Sequence, residues 1–172
     1  MKMINCTPIL CALFLWCGTG FLSSAISNDD YLSQVFSGKA PKAKALWITG
    51  DLKQKIVQAI GDSELKIREK YWQDGDDLIF ILERIGKVKP ITAAWHIRKD
   101  KIIQTKVLVY RESRGGEVAR SFFTQLFEGI GLKGQSELSS HIDGISGATL
   151  SVNSMKKMAR QALIMAQHLN AT

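Results

Sequence analysis

Beyond residue 17 the chain has no cysteine: the three in its 172 residues are Cys6, Cys11 and Cys17. Disulfides, thiolate nucleophiles, zinc–cysteine sites and iron–sulfur clusters are thereby excluded from everything that follows. No phosphate-binding Walker loop and no dinucleotide glycine fingerprint is present. Gly144-Ile145-Ser146-Gly147 is not a hydrolase nucleophile elbow, because the second glycine comes one position early. His96, His141 and His168 lack the spacing of metal ligands and read as surface or satisfied core residues. Internal repeats, low-complexity tracts, long linkers and an acid–base constellation are also missing, so no catalytic residue is expected.

What is present begins with an address. Met1-Lys2 is followed by an apolar run from Ile9 to Leu22 and then by the small residues Ser23-Ser24-Ala25. That order is the pattern of a secretory signal, and the run is shorter than a membrane span. Residues 1–25 are therefore expected to be a signal that sends the protein to the periplasm or another extracytoplasmic space. Cleavage is the first reading, and retention at the membrane through an uncleaved signal is the alternative. Trp16 before Cys17 argues against lipidation. Cleavage would remove every cysteine. The net charge of +7 would suggest nucleic acid in a cytoplasmic protein. In an exported one it points to solubility, an anionic membrane surface or an acidic partner, and no nucleic-acid partner is expected. Lys39, Lys42, Lys44, Lys53 and Lys55 read as a solvated face.

The remainder suits one domain of α+β class. Residues 26–64 read as a helical segment: Asn28-Asp29-Asp30 caps a helix through Phe36, and Thr49 caps a second, with Leu52, Ile56, Val57 and Ile60 on one face and Gly61 ending it. Two hairpins follow. Leu65–Trp72 and Leu78–Glu83 are joined across a turn containing Gly75. Ile91, Ala93, Trp95 and Ile97 alternate with polar or small residues and turn at Lys99-Asp100 into Ile103, Thr105, Val107 and Val109. An antiparallel sheet with flanking helices is expected. Ser121–Phe127 reads as a short helix burying Phe122, Phe123, Leu126 and Phe127. A last amphipathic helix places Val152, Met155, Ala159, Ala162, Leu163, Ala166 and Leu169 on its apolar side.

Directly before that helix stands Asp143-Gly144-Ile145-Ser146-Gly147-Ala148-Thr149. A loop of small residues opening into a helix offers free backbone N–H groups and the positive end of the helix dipole, a ready place for a phosphate. On spacing alone, a plain helix start capped by Thr149 or Ser151 explains the same residues. The seven residues resemble the flavinylation motif of the FMN-binding domain family, which includes the C subunit of sodium-translocating NADH:quinone reductase and the G subunit of the Rnf complex. In that family the threonine of Ser-Gly-Ala-Thr carries FMN through a phosphoester bond. A flavin transferase that uses FAD and magnesium installs it after export. This chain has Leu150 where the family often has Ser or Thr. Glu112-Ser113-Arg114-Gly115-Gly116 is similar to the family's Glu-Thr-x-Gly segment, and Phe122 to Gly129 to its Phe/Gln/Phe/Gly block.

The resemblance implies a flavin domain over residues 65–172 with FMN joined to Thr149 and held by Asp143, Gly144, Ser146, Gly147 and Ala148. It places Glu112, Ser113, Arg114, Gly115 and Gly116 against the flavin, where Glu112, Arg111 and Arg114 would tune its potential. Trp95 and Tyr110 either face the ring or belong to the core. The function implied is electron carriage, with a membrane reductase or a cytochrome as redox partner. A non-redox exported binding module, with the loop as a helix cap only, is the alternative.

Overall fold

The computed structural model describes residues 26–63 and 65–172. The expected signal, with its three cysteines, lies outside them. Among the described residues no helix is long and apolar enough to cross a membrane.

The sheet is an antiparallel meander of five strands in chain order: β1 (Lys44–Trp47), β2 (Arg68–Asp74), β3 (Asp77–Ile85), β4 (Pro90–Arg98) and β5 (Lys101–Tyr110). Both expected hairpins are present, and a fifth strand precedes them. β1 was not foreseen because only Leu46 of its four residues is buried, so no alternation marks it. Lys99 and Asp100 both take positive φ, 50° and 58°, the backbone of a two-residue type I′ turn.

Alternation divides the sheet into two faces. Leu78, Phe80 and Leu82 of β3, with Ile91, Ala93, Trp95 and Ile97 of β4, point into the main core. Two helices cover that side: α2 (Gly50–Ile60), through Leu52, Ile56 and Ile60, and α4 (Thr149–Asn170), through Val152, Met155, Ala159, Ala162, Leu163 and Ala166. Gly61 closes α2 in the left-handed conformation at φ 64°, as its position implies. The other face carries Ile79, Ala94 and Leu108, covered by Tyr31 and Leu32 of α1 (Asn28–Val35). Ser27 caps α1, one residue before the expected Asn28: its hydroxyl accepts from the Asp29 N–H at 3.2 Å.

The segment after β5 is more irregular than expected. A 3₁₀ turn (Gly116–Ala119), a one-turn helix α3 (Ser121–Thr124) and a second 3₁₀ turn (Gln125–Phe127) replace a single helix. Phe123 and Phe127 are buried and stack edge-on at 5.6 Å, and Phe127 meets Trp95 at 5.3 Å. Phe122 and Leu126 are exposed instead of buried. Only one face of so short an element can meet the sheet, and the pair four apart at 123 and 127 takes it. A two-stranded ribbon of β6 (Leu132–Lys133) and β7 (Glu137–Leu138) completes the chain before α4.

α4 runs the length of the sheet. At its start Ser154 donates to the Ile85 carbonyl at 2.6 Å, at the end of β3. At its finish the Asn170 amide donates to Asp100 at 2.8 Å, in the β4–β5 turn. The helix N-terminus thus sits at the end of the sheet bearing the β3–β4 turn and the last residues of β5.

Candidate functional site

Thr149 is the first residue of α4 and is exposed. Gly147 turns the chain with φ 80°, and the Ala148 N–H donates to the Ile145 carbonyl at 3.0 Å, which closes the loop onto the helix. Ala148, at the N-cap position, is buried and has no side chain that can cap. The first helical hydrogen bond runs from Val152 to the Ala148 carbonyl, so the Thr149, Leu150 and Ser151 N–H groups have no acceptor one turn back. Neither Thr149 nor Ser151 caps the helix with its hydroxyl. Asp143, Gly144, Ser146 and Gly147 are exposed around this end. Asp143 lies 3.7 Å from His141, both open to solvent.

The second sequence segment, residues 112–116, is brought to the same place. Gly115 has φ 79°, and a Cβ built on it would stand 3.2 Å from the Ala148 Cβ and 2.9 Å from the Tyr110 hydroxyl. That hydroxyl donates to the Arg114 carbonyl at 2.6 Å and lies 3.1 Å from the Ser151 Oγ. With the tyrosine proton committed to the carbonyl, Ser151 is the donor of the second bond. Burial raises the Tyr110 pKa, and the charges of Glu112 and Glu117 add to the effect against the Ser151 hydrogen bond, so the hydroxyl stays protonated. Tyr110 therefore clamps the 112–116 turn to α4. No local pattern signals this bond, because its partners are 41 residues apart.

Glu112 is engaged within the chain itself. Its Oε1 accepts from the backbone N–H groups of Lys87, Val88 and Lys89 at 2.7, 2.6 and 2.8 Å. The carboxylate is the anion around which the β3–β4 turn is wound. Those hydrogen bonds hold its pKa below the ordinary glutamate value, against the opposing effect of desolvation. A depressed folded pKa contributes stability that is complete above the unfolded value and is lost as pH falls through the folded one. Glu112→Gln should therefore lower the melting temperature at pH 7. It should also flatten the loss of stability expected of the wild type as pH falls below the ordinary glutamate range. Thermal unfolding of both proteins across that range checks it, and parallel curves would mean that the three bonds are not formed. Ser113 and Arg114 are exposed, and Arg114 contributes only its carbonyl to the clamp. Arg111 points the other way, toward Glu83, Thr92 and the Pro90 carbonyl.

Trp95 is fully buried against Phe127 and does not line this end. His96 is a satisfied core residue, 2.6 Å from Asp77. The five N-terminal lysines from Lys39 to Lys55 are all exposed. A groove of about 520 Å³ opens beside the first turns of α4, between Leu150, Asn153, Lys156 and Lys157 on one wall and Lys66 and Ile85 on the other. Glu69 and Arg84 lie at its base, and Arg84 is paired with Asp62. Sequence reasoning missed this feature because its walls come from segments far apart in the chain, Lys66 to Ile85 and Leu150 to Lys157.

An exposed hydroxyl on the first turn of an uncapped helix, behind a loop of small residues, is the arrangement of a phosphate-accepting site. The residues present suit the phosphate of a flavin nucleotide: three free N–H groups, no carboxylate within the turn, and no Cβ at Gly144 or Gly147 to block approach. Residues 86–164 match the family model of the FMN-binding domain. FMN is the cofactor that such a domain implies. No curated protein matches the chain. The match begins at Gly86 in the β3–β4 turn and ends within α4, so it spans both segments that converge at Thr149.

Proposed function

We propose that this chain is an exported flavoprotein that carries FMN on Thr149 through a phosphoester bond and passes electrons within an extracytoplasmic or membrane-associated chain. The observation that carries the reading is the position of Thr149, an exposed hydroxyl at an uncapped helix N-terminus inside the FMN-binding segment. An anion at such a terminus gains only about 0.3–2 kcal/mol, which orients a phosphate without retaining it. A covalent bond to the hydroxyl supplies retention. The flavin, when bound, supplies one- and two-electron chemistry. Gly147 and Ala148 give the phosphate access, and Tyr110 with Gly115 fixes the loop from behind. A flavin transferase that uses FAD and magnesium is the maturation partner, and a membrane reductase or cytochrome is the redox partner.

Intact mass tests this directly. Protein from its export route should gain the mass of one FMN less one water, on the peptide containing Thr149. The same chain held in the cytoplasm without transferase should fold and stay colourless, then turn yellow with transferase, FAD and magnesium. An exported protein of unmodified mass would overturn the reading.

A further inference from the structure

We propose that the end of the sheet bearing Thr149 docks on a bilayer surface containing anionic phospholipid, with Ile67 and Val88 entering the headgroup region between cations that meet lipid phosphates. The inference gives the function proposed above a membrane-facing surface and rests on that reading for its redox meaning; the docking itself needs no flavin. It starts from where the exposed apolar side chains lie. Among the described residues eight large hydrophobic side chains are exposed. Ile103, Phe122 and Leu126 stand on β5 and in the segment after it. The other five share one end of the sheet: Trp47 closes β1, Ile67 precedes β2, Ile85 closes β3, Val88 lies in the β3–β4 turn and Leu150 follows Thr149. Antiparallel pairing puts the end of β1, the start of β2 and the end of β3 side by side. Lys66, Ile85 and Leu150 border one depression beside α4.

The charges around these side chains are the second observation. Lys66-Ile67-Arg68 and Lys87-Val88-Lys89 each set an aliphatic side chain between two exposed cations. Ile67 and Val88 are the most exposed of the five, at 66% and 70%. The Arg68 guanidinium stands 5.8 Å over the Trp47 ring. Lys156 and Lys157 add two amines beside Leu150. The nearby acids are largely occupied within the chain: Glu83 faces Arg111, Asp62 faces Arg84, and Glu112 accepts from three backbone N–H groups. Glu69, which feels the Lys66 charge, is buried. Asp143 and Glu117 are exposed near Thr149, fewer than the cations around Ile67 and Val88.

Apolar side chains that bury in lipid, beside cations drawn to anionic headgroups, make a membrane-surface seat. Lysine suits it further, because its stem lies along apolar surface while its amine reaches phosphate. Ile67 projects from a loop and Val88 from a hairpin turn. A fluid surface admits both, whereas a protein partner needs a hollow for each. Leu150 belongs to this surface and follows Thr149 directly, so docking brings the proposed attachment point to the membrane face.

The test reads the docking end itself. The full chain, with Cys6, Cys11 and Cys17 replaced by serine, receives a single environment-sensitive fluorophore through Val88→Cys, Ile67→Cys or, at the β2–β3 turn on the opposite end of the sheet, Asp76→Cys. Each is mixed with vesicles of phosphatidylglycerol and phosphatidylcholine, or of phosphatidylcholine alone. With phosphatidylglycerol, emission at 67 and 88 should move to the blue and iodide quenching there should fall several-fold, while position 76 stays unchanged. Lys87→Gln with Lys89→Gln should raise the lipid needed by about tenfold or more, since each cation near an anionic surface contributes about fivefold. A retained signal would bring the whole chain to the vesicles without shielding 67 and 88, so it cannot mimic this result. Labels at 67 and 88 that stay as open to iodide as the label at 76 would overturn the proposal. So would equal shielding by phosphatidylcholine alone. Binding of polyglutamate with no response to vesicles would also overturn it and give the surface to an acidic protein. None of these readings requires flavin, so their failure leaves attachment at Thr149 standing, and an unflavinylated chain is tested in the same way.

Discussion

Thr149→Ala is expected to abolish covalent flavin entirely while leaving the fold in place. The effect on attachment is all or nothing, because the substitution removes the one oxygen proposed to bond the phosphate. The effect on stability is small, since Thr149 is exposed and its side chain makes no capping bond. Exposed substitutions of this kind cost within about 0.5 kcal/mol. Thr149→Ser retains a hydroxyl at the same place and should still accept flavin, more slowly if the transferase reads the methyl group. Intact mass and absorbance after denaturation distinguish the three proteins. Flavin that stays bound through denaturation in Thr149→Ala would place the bond elsewhere. Ser146 would then be the next hydroxyl to test, being exposed in the same loop.

Gly115→Val should produce the largest change that leaves the acceptor untouched. At φ 79° a β-branched residue is strained whatever surrounds it, at a cost of about 1–3 kcal/mol. The added Cβ also meets the Tyr110 hydroxyl at 2.9 Å and the Ala148 Cβ at 3.2 Å, and Ala148 belongs to the loop that presents Thr149. Something must move: either the tyrosine clamp opens or the loop shifts from the helix start. Both outcomes lower the denaturation midpoint and slow flavin attachment by transferase. Gly116→Ala is the control, because a Cβ there has only ordinary contacts with the Tyr110 ring. Equal midpoints and attachment rates for the two variants would show that the turn and the loop do not depend on each other.

Much of this architecture is legible in the residues alone. The alternation of Ile91 to Ile97, the Lys99-Asp100 turn, the Gly61 helix stop and the apolar stripe of α4 are local patterns, and each stands where the residues imply. The motif at 143–149 was legible in a different way, by resemblance, since small residues before a helix are too common to identify a site. What stayed hidden was non-local. Glu112 looks like a free charge on a glycine-flanked turn, and only the β3–β4 register brings three backbone amides to it. Tyr110 alternates as a strand residue and gives no sign of reaching Ser151. Glu69 reads as one of several charges in Arg68-Glu69-Lys70. Its burial follows from pleating, which turns it to the same face as Tyr71 of the main core. β1 was hidden for the opposite reason, being an edge strand too short and too exposed to show a period.

The length of α4 has a consequence for how the molecule would be approached. Its 22 residues span about 33 Å from Thr149 to the Asn170 contact with the β4–β5 turn. Electron tunnelling falls exponentially with distance, and a packed protein interior of that thickness is an insulator. A flavin held at Thr149 therefore gives the molecule one conducting pole and one silent pole. On the proposed function, a redox partner would have to touch the end bearing the β3–β4 turn. The end bearing Asp100 and the C-terminus is free to be gripped, tagged or immobilised without interrupting the current.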